Sequence, residues 1–141
     1  MPSAVVDASI LASLYLNDPL TEVAESAMRE LADDRVDLHA PDLIDYEVAN
    51  VFIKAHRRGE LDTEGCLSRI EAVLAWDVER HRPDRLVAAA LSLGLAHDLS
   101  AYDAAYLALT VDRGATLITG DRRLAERARA AGAAVRGLAP T

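Results

Sequence analysis

Four acidic residues stand where their carboxylates could converge on one divalent cation, beginning with two that follow apolar runs. Asp7 directly follows Ala4 to Val6, and Asp121 follows Thr116 to Thr119 after one glycine. If both runs are strands of a parallel sheet, their carboxyl ends lie at the same edge, where such sheets bind ligands. Because magnesium prefers oxygen ligands, this spacing indicates a magnesium site at that edge.

Two further acids lie on predicted helices. Asp103 precedes residues 104–110, which are apolar almost all round and so predict a buried helix. A carboxylate entering the core there is costly unless it is paired or bound to a metal. Glu47 lies beside Val51 at the edge of the apolar stripe of a second predicted helix, residues 42–58, since helical residues advance by about 100°.

Each acid also has an ordinary structural explanation. Asp is a favoured helix N-cap, so Asp7 and Asp121 could simply cap the helices that follow them. Ser100 to Asp103 has the spacing of a capping box, with Asp in place of the usual Glu. Glu47 could be a solvated residue at the edge of its helix. The residues alone leave both interpretations open.

The elements that would position these acids alternate between short apolar runs and longer helical patterns. Strands are predicted over residues 4–6, 36–39, 76–79, 115–119 and 133–135. Helices are predicted over residues 8–16, 20–32, 42–58, 63–74, 83–93, 101–112 and 122–131, with Gly59, Gly94 and Gly114 at helix ends. This alternation predicts an α/β fold whose mainly parallel sheet of four to five strands has helices on both faces.

Length and composition limit the possibilities further. The chain of 141 residues suits one domain, which we place at residues 1–137, with a short tail at 138–141. Its single cysteine, Cys66, excludes an internal disulfide and indicates a reducing compartment. With no secretory signal and no apolar run long enough for a membrane span, we expect a cytoplasmic protein. The net charge of -8 does not attract nucleic acid at long range, so an RNA ligand would need local basic patches and bound cations.

Four motifs together resemble the PIN-domain nucleases, and within them the VapC toxins of bacterial toxin–antitoxin modules. In chain order they are VVDAS, DLIDYEVANVFIKAHRRG, LSAYDAAYLALT and TLITGDRRLA, and they extend over nearly the whole chain. The resemblance implies a PIN-like three-layer sandwich. It also matches Asp7, Glu47, Asp103 and Asp121 to the family's four metal-binding acids, with Ser9, Asn50 and Thr119 in supporting positions.

The resemblance further implies an activity and partners. The activity is magnesium-dependent cleavage of RNA by metal-activated water, with manganese as a substitute, leaving 5′-phosphate and 3′-hydroxyl ends. We expect Asp7 and Asp103 to be direct ligands, and Glu47 and Asp121 to complete the site through water or a second ion. The partners would be a second copy of the chain and a cognate VapB-type antitoxin, which in this family commonly brings a basic side chain to the acid pocket.

Basic residues near the acids are candidates for phosphate contact. They are Lys54, Arg57 and Arg58 at the end of the Glu47 helix, and Arg122 and Arg123 directly after Asp121. Cations also suit a helix C-terminus, so solvation of the helix end explains Arg57 and Arg58 equally well. Arg122 and Arg123 lie near a helix N-terminus, where the helix dipole disfavours cations, which favours a functional reason.

Rival interpretations are weaker. An HD-type phosphohydrolase would need helical histidine ligands, but His97 and Asp98 follow Gly94 in a predicted loop, and His81 adjoins a proline. His39 and His56 show no metal-ligand spacing and are expected to be solvated.

The other rivals lack a residue or a reason. A phospho-acceptor receiver domain needs a late lysine, whereas the only lysine is Lys54. A haloacid-dehalogenase-type phosphatase needs a second Asp two residues after Asp7, where Ser9 stands. A catalytically inactive PIN fold that binds RNA or protein is the remaining alternative.

Overall fold

The computed structural model describes residues 2–139, which form a five-stranded sheet and seven α-helices. The strands are β1 Ser3–Val6, β2 Asp37–Pro41, β3 Val78–His81, β4 Thr116–Thr119 and β5 Ala134–Gly137. The helices are α1 Ala8–Ser13, α2 Thr21–Asp33, α3 Ile44–Arg57, α4 Thr63–Leu74, α5 Val87–His97, α6 Ala101–Arg113 and α7 Arg122–Ala130, with a 3-10 turn at Pro83–Arg85.

All the strands run parallel, in the order β3-β2-β1-β4-β5. The central strand β1 is buried from Ala4 to Val6, as expected for a strand covered on both faces. Val5 aligns with His39 of β2 on one side, and Val6 aligns with Ile118 of β4 on the other. Because the strands are parallel, β1 and β4 both end at the edge where Asp7 and Asp121 follow.

Helix α6 is the most deeply buried helix that contributes to this edge. Its residues Ala104 to Thr110 are all buried, and it packs against β1, β2 and β4. This confirms the prediction of a buried helix from its apolar composition. The α/β architecture with a parallel central sheet is likewise confirmed, with five strands.

The bounds of several predicted elements differ from the structure: α1 ends at Ser13 rather than at residue 16, and β3 lies two residues later than the predicted 76–79. The prediction of a helix over residues 83–93, ending at Gly94, is wrong. The 3-10 turn precedes α5, and Gly94 lies inside α5. A Cβ on Gly94 would lie 2.9 Å from the carbonyl oxygen of Leu99, so glycine permits close packing of the helix against the following chain. The helix instead ends at Asp98, which adopts the left-handed conformation with φ 54°. His97 therefore closes α5 rather than lying in a loop.

Two glycines lie at helix ends as predicted. Gly114 follows α6 directly and Gly59 follows α3 after Arg58, with positive φ values of 58° and 78°. Of the expected tail at 138–141, Leu138 still donates its amide to the carbonyl of Thr119 at 2.8 Å, and residues 140 and 141 lie outside the described residues. The single domain over residues 1–137 stays a prediction. Within the described chain, no helix has both the length and the apolar character needed to cross a membrane.

Candidate functional site

Asp7 occupies the junction between β1 and α1 and is 5% exposed. Its Oδ1 accepts from the Ser9 hydroxyl at 2.5 Å and from the Ile10 amide at 3.3 Å, and its Oδ2 accepts from the Thr119 hydroxyl. Burial raises the pKa of Asp7 from 3.8 to about 6; these hydrogen bonds oppose the rise, and the charge of Asp121 adds to it. Asp7 is thus a helix cap as well as a buried carboxylate that is costly to ionise.

Ser9 and Thr119 connect Asp7 to the other strand end. Thr119 Oγ1 accepts from the Asp121 amide at 2.9 Å, and Ser9 Oγ accepts from the Gly120 amide at 3.0 Å. A Cβ on Gly120 would lie 2.4 Å from a methyl carbon of Leu20 and 3.2 Å from Ser9 Oγ, so the approach requires a small residue. The two hydroxyls therefore fix the β1–α1 junction against the β4–α7 junction.

Asp121 and Asp103 differ in how they relate to their helices. Asp121 is exposed and caps α7 by accepting from the Leu124 amide at 3.1 Å. In α6 the cap is Ser100, whose hydroxyl accepts from the Asp103 amide at 3.1 Å, so the Asp103 carboxylate is not needed for capping. Burial and then the charge of Asp121 raise the pKa of Asp103, and Arg123 acts in the opposite direction.

Glu47 is half-buried and is held by a residue that the sequence did not single out. Tyr106 of α6, only 1% exposed, donates its hydroxyl to Glu47 Oε1 at 2.6 Å. Burial and the charge of Asp103 raise the pKa of Glu47, whereas the Tyr106 hydrogen bond lowers it. The pKa of Tyr106 is raised by burial first and then by Glu47, Asp7 and Asp103, which places its phenol among the acids. Because Asp103 and Tyr106 are three residues apart on one helix, their shared face was the available signal.

The remaining candidates are all exposed. Asn50 and Lys54 are exposed, and within residues 2–139 neither makes a side-chain hydrogen bond to the four acids. Arg57 and Arg122 are also exposed. Arg58 is paired with Glu60 at 2.8 Å, and Arg123 bonds to the carbonyl of Asp98 at 2.9 Å. Of these basic residues, Arg123 is the one whose charge affects an acid of the cluster.

The donor set suits a hydrated divalent cation. Four carboxylates come from four separate segments, and burial and mutual repulsion raise the pKa values of Asp7, Glu47 and Asp103. A cation would relieve both effects, and oxygen donors are those that magnesium prefers. Within residues 2–139, no three of these acids bring ligand oxygens within 4.8 Å of one another, so an ion there would also need water ligands.

The histidines do not behave as the sequence suggested. The expectation that His39 is solvated is wrong, because it lies on β2, is 2% exposed and contacts His81 of β3. Sequence spacing gave no warning, since 42 residues separate the two histidines. His56 is exposed, as expected, and its Nδ1 lies 2.8 Å from the carbonyl of Leu61.

Comparison with known proteins identifies the family of this chain. The sequence matches the PIN domain family over residues 4–130. It is 38% identical over 127 residues to Ribonuclease VapC3 of Pyrobaculum aerophilum, covering 87% of this chain and 92% of that protein.

Two crystal structures share the fold. PAE2754 of Pyrobaculum aerophilum superposes with a TM-score of 0.68 at 23% identity, over 95% of this chain and 83% of that one. VapC20 of Mycobacterium tuberculosis, described as a toxin that cleaves the sarcin-ricin loop, gives a TM-score of 0.66 at 19% identity, over 92% and 95%. The family match and the likeness to VapC3 together establish that this chain belongs to the PIN-domain family, among its VapC members.

Proposed function

We propose that this chain is a magnesium-dependent endoribonuclease that acts in the cytoplasm as the toxin of a VapBC-type module. The observation that carries the proposal is the convergence of Asp7, Glu47, Asp103 and Asp121 from four segments onto one sheet edge, with three of their pKa values raised. Likeness to a protein named as a ribonuclease supports the reaction class. The target RNA does not follow from the structure of VapC20, because 19% identity supports the fold alone.

Each acid has a proposed role that follows from its setting. Asp7 and Asp103 would be direct ligands, and Glu47 and Asp121 would complete the site directly or through water. When bound, Mg²⁺ or Mn²⁺ supplies the positive charge that makes a water acidic and offsets charge on the scissile phosphate. Ser9 and Thr119 hold the oxygens of Asp7 in place by donating to them.

The decisive experiment is cleavage of defined RNAs by purified protein, free of any antitoxin, with Mg²⁺, with Mn²⁺ and with EDTA. We expect cleavage with either metal and none with EDTA. Mass spectrometry should find 5′-phosphate and 3′-hydroxyl ends, because water rather than the neighbouring 2′-hydroxyl attacks. Products with 2′,3′-cyclic phosphate ends would contradict the mechanism, and retained RNA binding without metal-dependent cleavage would identify an inactive binding module.

Tyr106→Phe should weaken the site without dismantling it. The change removes the 2.6 Å hydrogen bond to Glu47, so the pKa of Glu47 rises further and its carboxylate loses a fixed orientation. We expect kcat to fall about tenfold, and the loss of activity on acidification to begin at a higher pH than in the wild type. Tyr102→Phe, on an exposed neighbouring residue of α6, is the control and should leave the pH profile unchanged. An unchanged pH profile in Tyr106→Phe would refute the positioning role.

Phosphate contacts are proposed for Arg122 and Arg123 beside Asp121 and for Lys54, Arg57 and Arg58 at the end of α3. Their exposure supports this, since a net charge of -8 leaves RNA binding dependent on local cations.

A VapB-type antitoxin would compete for the same acidic site with a basic side chain. An apolar cavity of about 200 Å³, lined by Tyr102 beside Asp103, offers an adjacent surface for it. Expression should arrest growth, and co-expression of the cognate antitoxin should relieve the arrest.

A homodimer is proposed from the exposed side of α5. Val87, Leu91 and Leu95 are 56%, 60% and 80% exposed, and their spacing of four residues places them on one apolar face. Leu91→Glu would put a charge in that face and should convert a dimer into a monomer in light scattering. Leu67→Glu, at a 59% exposed leucine of α4, is the matched control and should leave the dimer intact. A wild-type monomer, or equal effects of the two variants, would exclude this interface.

A further inference from the structure

A second cluster of ligand side chains lies on the β2–β3 side of the sheet. His39 of β2 aligns with Glu79 of β3, and His81 lies two residues beyond Glu79, so the three side chains project from the same face. Within residues 2–139, this is the group of three or more histidine, cysteine or acidic residues whose ligand atoms all lie within 4.8 Å of one another.

We propose that His39, Glu79 and His81 form a second metal site, which binds one transition-metal ion of the zinc class and is separate from the carboxylate cluster. His39 Nδ1 lies 2.9 Å from His81 Nε2 and 3.3 Å from Glu79 Oε2. Ligands about 2.0–2.2 Å from zinc at angles of about 90–110° are about 2.9–3.4 Å apart, so both distances fit one shared ion. Two of the three donors, Glu79 and His81, lie two residues apart on β3, so both project from the same face of the sheet as His39.

The chemistry of the donors selects the ion. Two imidazoles and one carboxylate favour zinc, cobalt, nickel or copper, whereas magnesium prefers oxygen donors. We therefore expect the four acids to prefer magnesium and this triad to prefer a metal of the zinc class. Burial lowers the pKa of His39, which favours the neutral form of the ring.

A hydrogen bond between the two histidines is the simpler explanation of their contact, but a ring nitrogen has one N–H or one lone pair, and Nδ1 of His39 also lies 3.3 Å from Glu79 Oε2. The ring is 2% exposed, and its Nε2 has no hydrogen-bond partner among the described residues. A metal bond at Nδ1 does not change the setting of Nε2, but one ion shared by the three side chains accounts for both contacts of Nδ1.

The site is accessible and is opposed by one positive charge. Glu79 is 62% exposed, and with His39 it lines a cavity of about 210 Å³ through which an ion and its waters can enter. The Arg113 guanidinium lies 3.9 Å from Glu79 and is 40% exposed, so it can move away when a cation binds. The bound ion would join the edge strand β3 to β2, which is its partner in the sheet.

The test measures metal binding in a background that lacks the other site. In tag-free protein carrying Asp7→Asn and Asp103→Asn, calorimetry should find one Zn²⁺ per chain, and Co²⁺ should give the visible absorption of a nitrogen-ligated site. His81→Gln can keep a hydrogen bond to His39 but should weaken Zn²⁺ binding about 100-fold. His97→Gln is the matched control and should change nothing. Arg113→Gln should tighten binding about threefold or more, because it removes a cation from the approach.

Stability gives a second readout. Zn²⁺ at about a hundred times its Kd should raise the Tm of the background protein by about 5 °C or more and leave that of His81→Gln unchanged. Glu79→Gln should also weaken Zn²⁺ binding. Because Glu79 is exposed, this change is not expected to disturb the core. Absence of Zn²⁺ binding in the background protein would overturn the proposal, as would equal binding by His81→Gln and the unsubstituted triad. These outcomes do not depend on whether the protein cleaves RNA.

Discussion

Asp7→Asn is expected to slow RNA cleavage by about 10³-fold at saturating Mg²⁺, which corresponds to about 4 kcal/mol of lost transition-state stabilisation. The change removes one negative charge from the buried cluster but preserves nearly everything else. Asn is as good a helix cap as Asp, and its carbonyl oxygen can still accept from the Ile10 amide or from the hydroxyls of Ser9 and Thr119. The loss should therefore reflect metal binding and chemistry rather than folding.

The chain provides a matched control for this variant. Asp62 caps α4 by accepting from the Gly65 amide at 2.6 Å, and it is exposed. Asp62→Asn makes the same chemical change at the same kind of helix position, and it should leave cleavage at the wild-type rate. Single-turnover assays of both variants separate the two roles of a junction Asp. Retention of more than about a tenth of the activity by Asp7→Asn would contradict its assignment as a ligand.

The second large effect is a loss of stability of the metal-free protein as the pH rises. The pKa of Asp7 is raised from 3.8 to about 6 in the folded state, so the folded protein holds this proton more tightly than the unfolded chain does. The free energy of unfolding should therefore decrease between about pH 4 and pH 6 and level off above that range, by roughly 3 kcal/mol from Asp7 alone. Glu47 and Asp103, whose pKa values are also raised, contribute with the same sign.

Urea denaturation in EDTA at pH 5 and pH 7.5 would measure this loss. The difference between the two pH values should shrink in Asp7→Asn, which should be more stable than the wild type at pH 7.5 in EDTA. Adding Mg²⁺ at pH 7.5 should raise the stability of the wild type more than that of the variant, because the cation offsets the charges that folding brings together. A wild-type protein without this decline would contradict the raised pKa of Asp7, and one that Mg²⁺ does not stabilise would contradict the metal site.

The sequence located the junction acids because their positions depend on local rules. An Asp directly after an apolar strand and before a helix has its place fixed by two elements that are recognisable in sequence. Asp7 and Asp121 are of this kind, and each proves to be a cap within a cluster of acids. The capping and metal-binding interpretations, which the residues left open, are compatible in the folded chain.

Features that depend on packing between distant segments were not readable in the same way. The partner of Glu47 is the phenol of Tyr106, 59 residues further on; the helix pattern places Tyr106 on the face of Asp103 but does not indicate which residue of α3 its hydroxyl meets. His39 was misjudged because its neighbours are set by strand register, and a shift of one residue would have turned it to the other face. Gly94 was misjudged as a helix end because its close packing against Leu99 is a tertiary requirement.

The strand order has a consequence for the protein during its synthesis on the ribosome. The central strand β1 is made first, yet it pairs with β4, and the hydroxyl that holds Asp7 belongs to residue 119. No N-terminal fragment shorter than about residue 121 can contain all four acids, so the growing chain carries no complete centre until most of it has been synthesised. For the proposed nuclease, the ribosome and the messenger would be exposed to its activity only after its own synthesis is nearly finished.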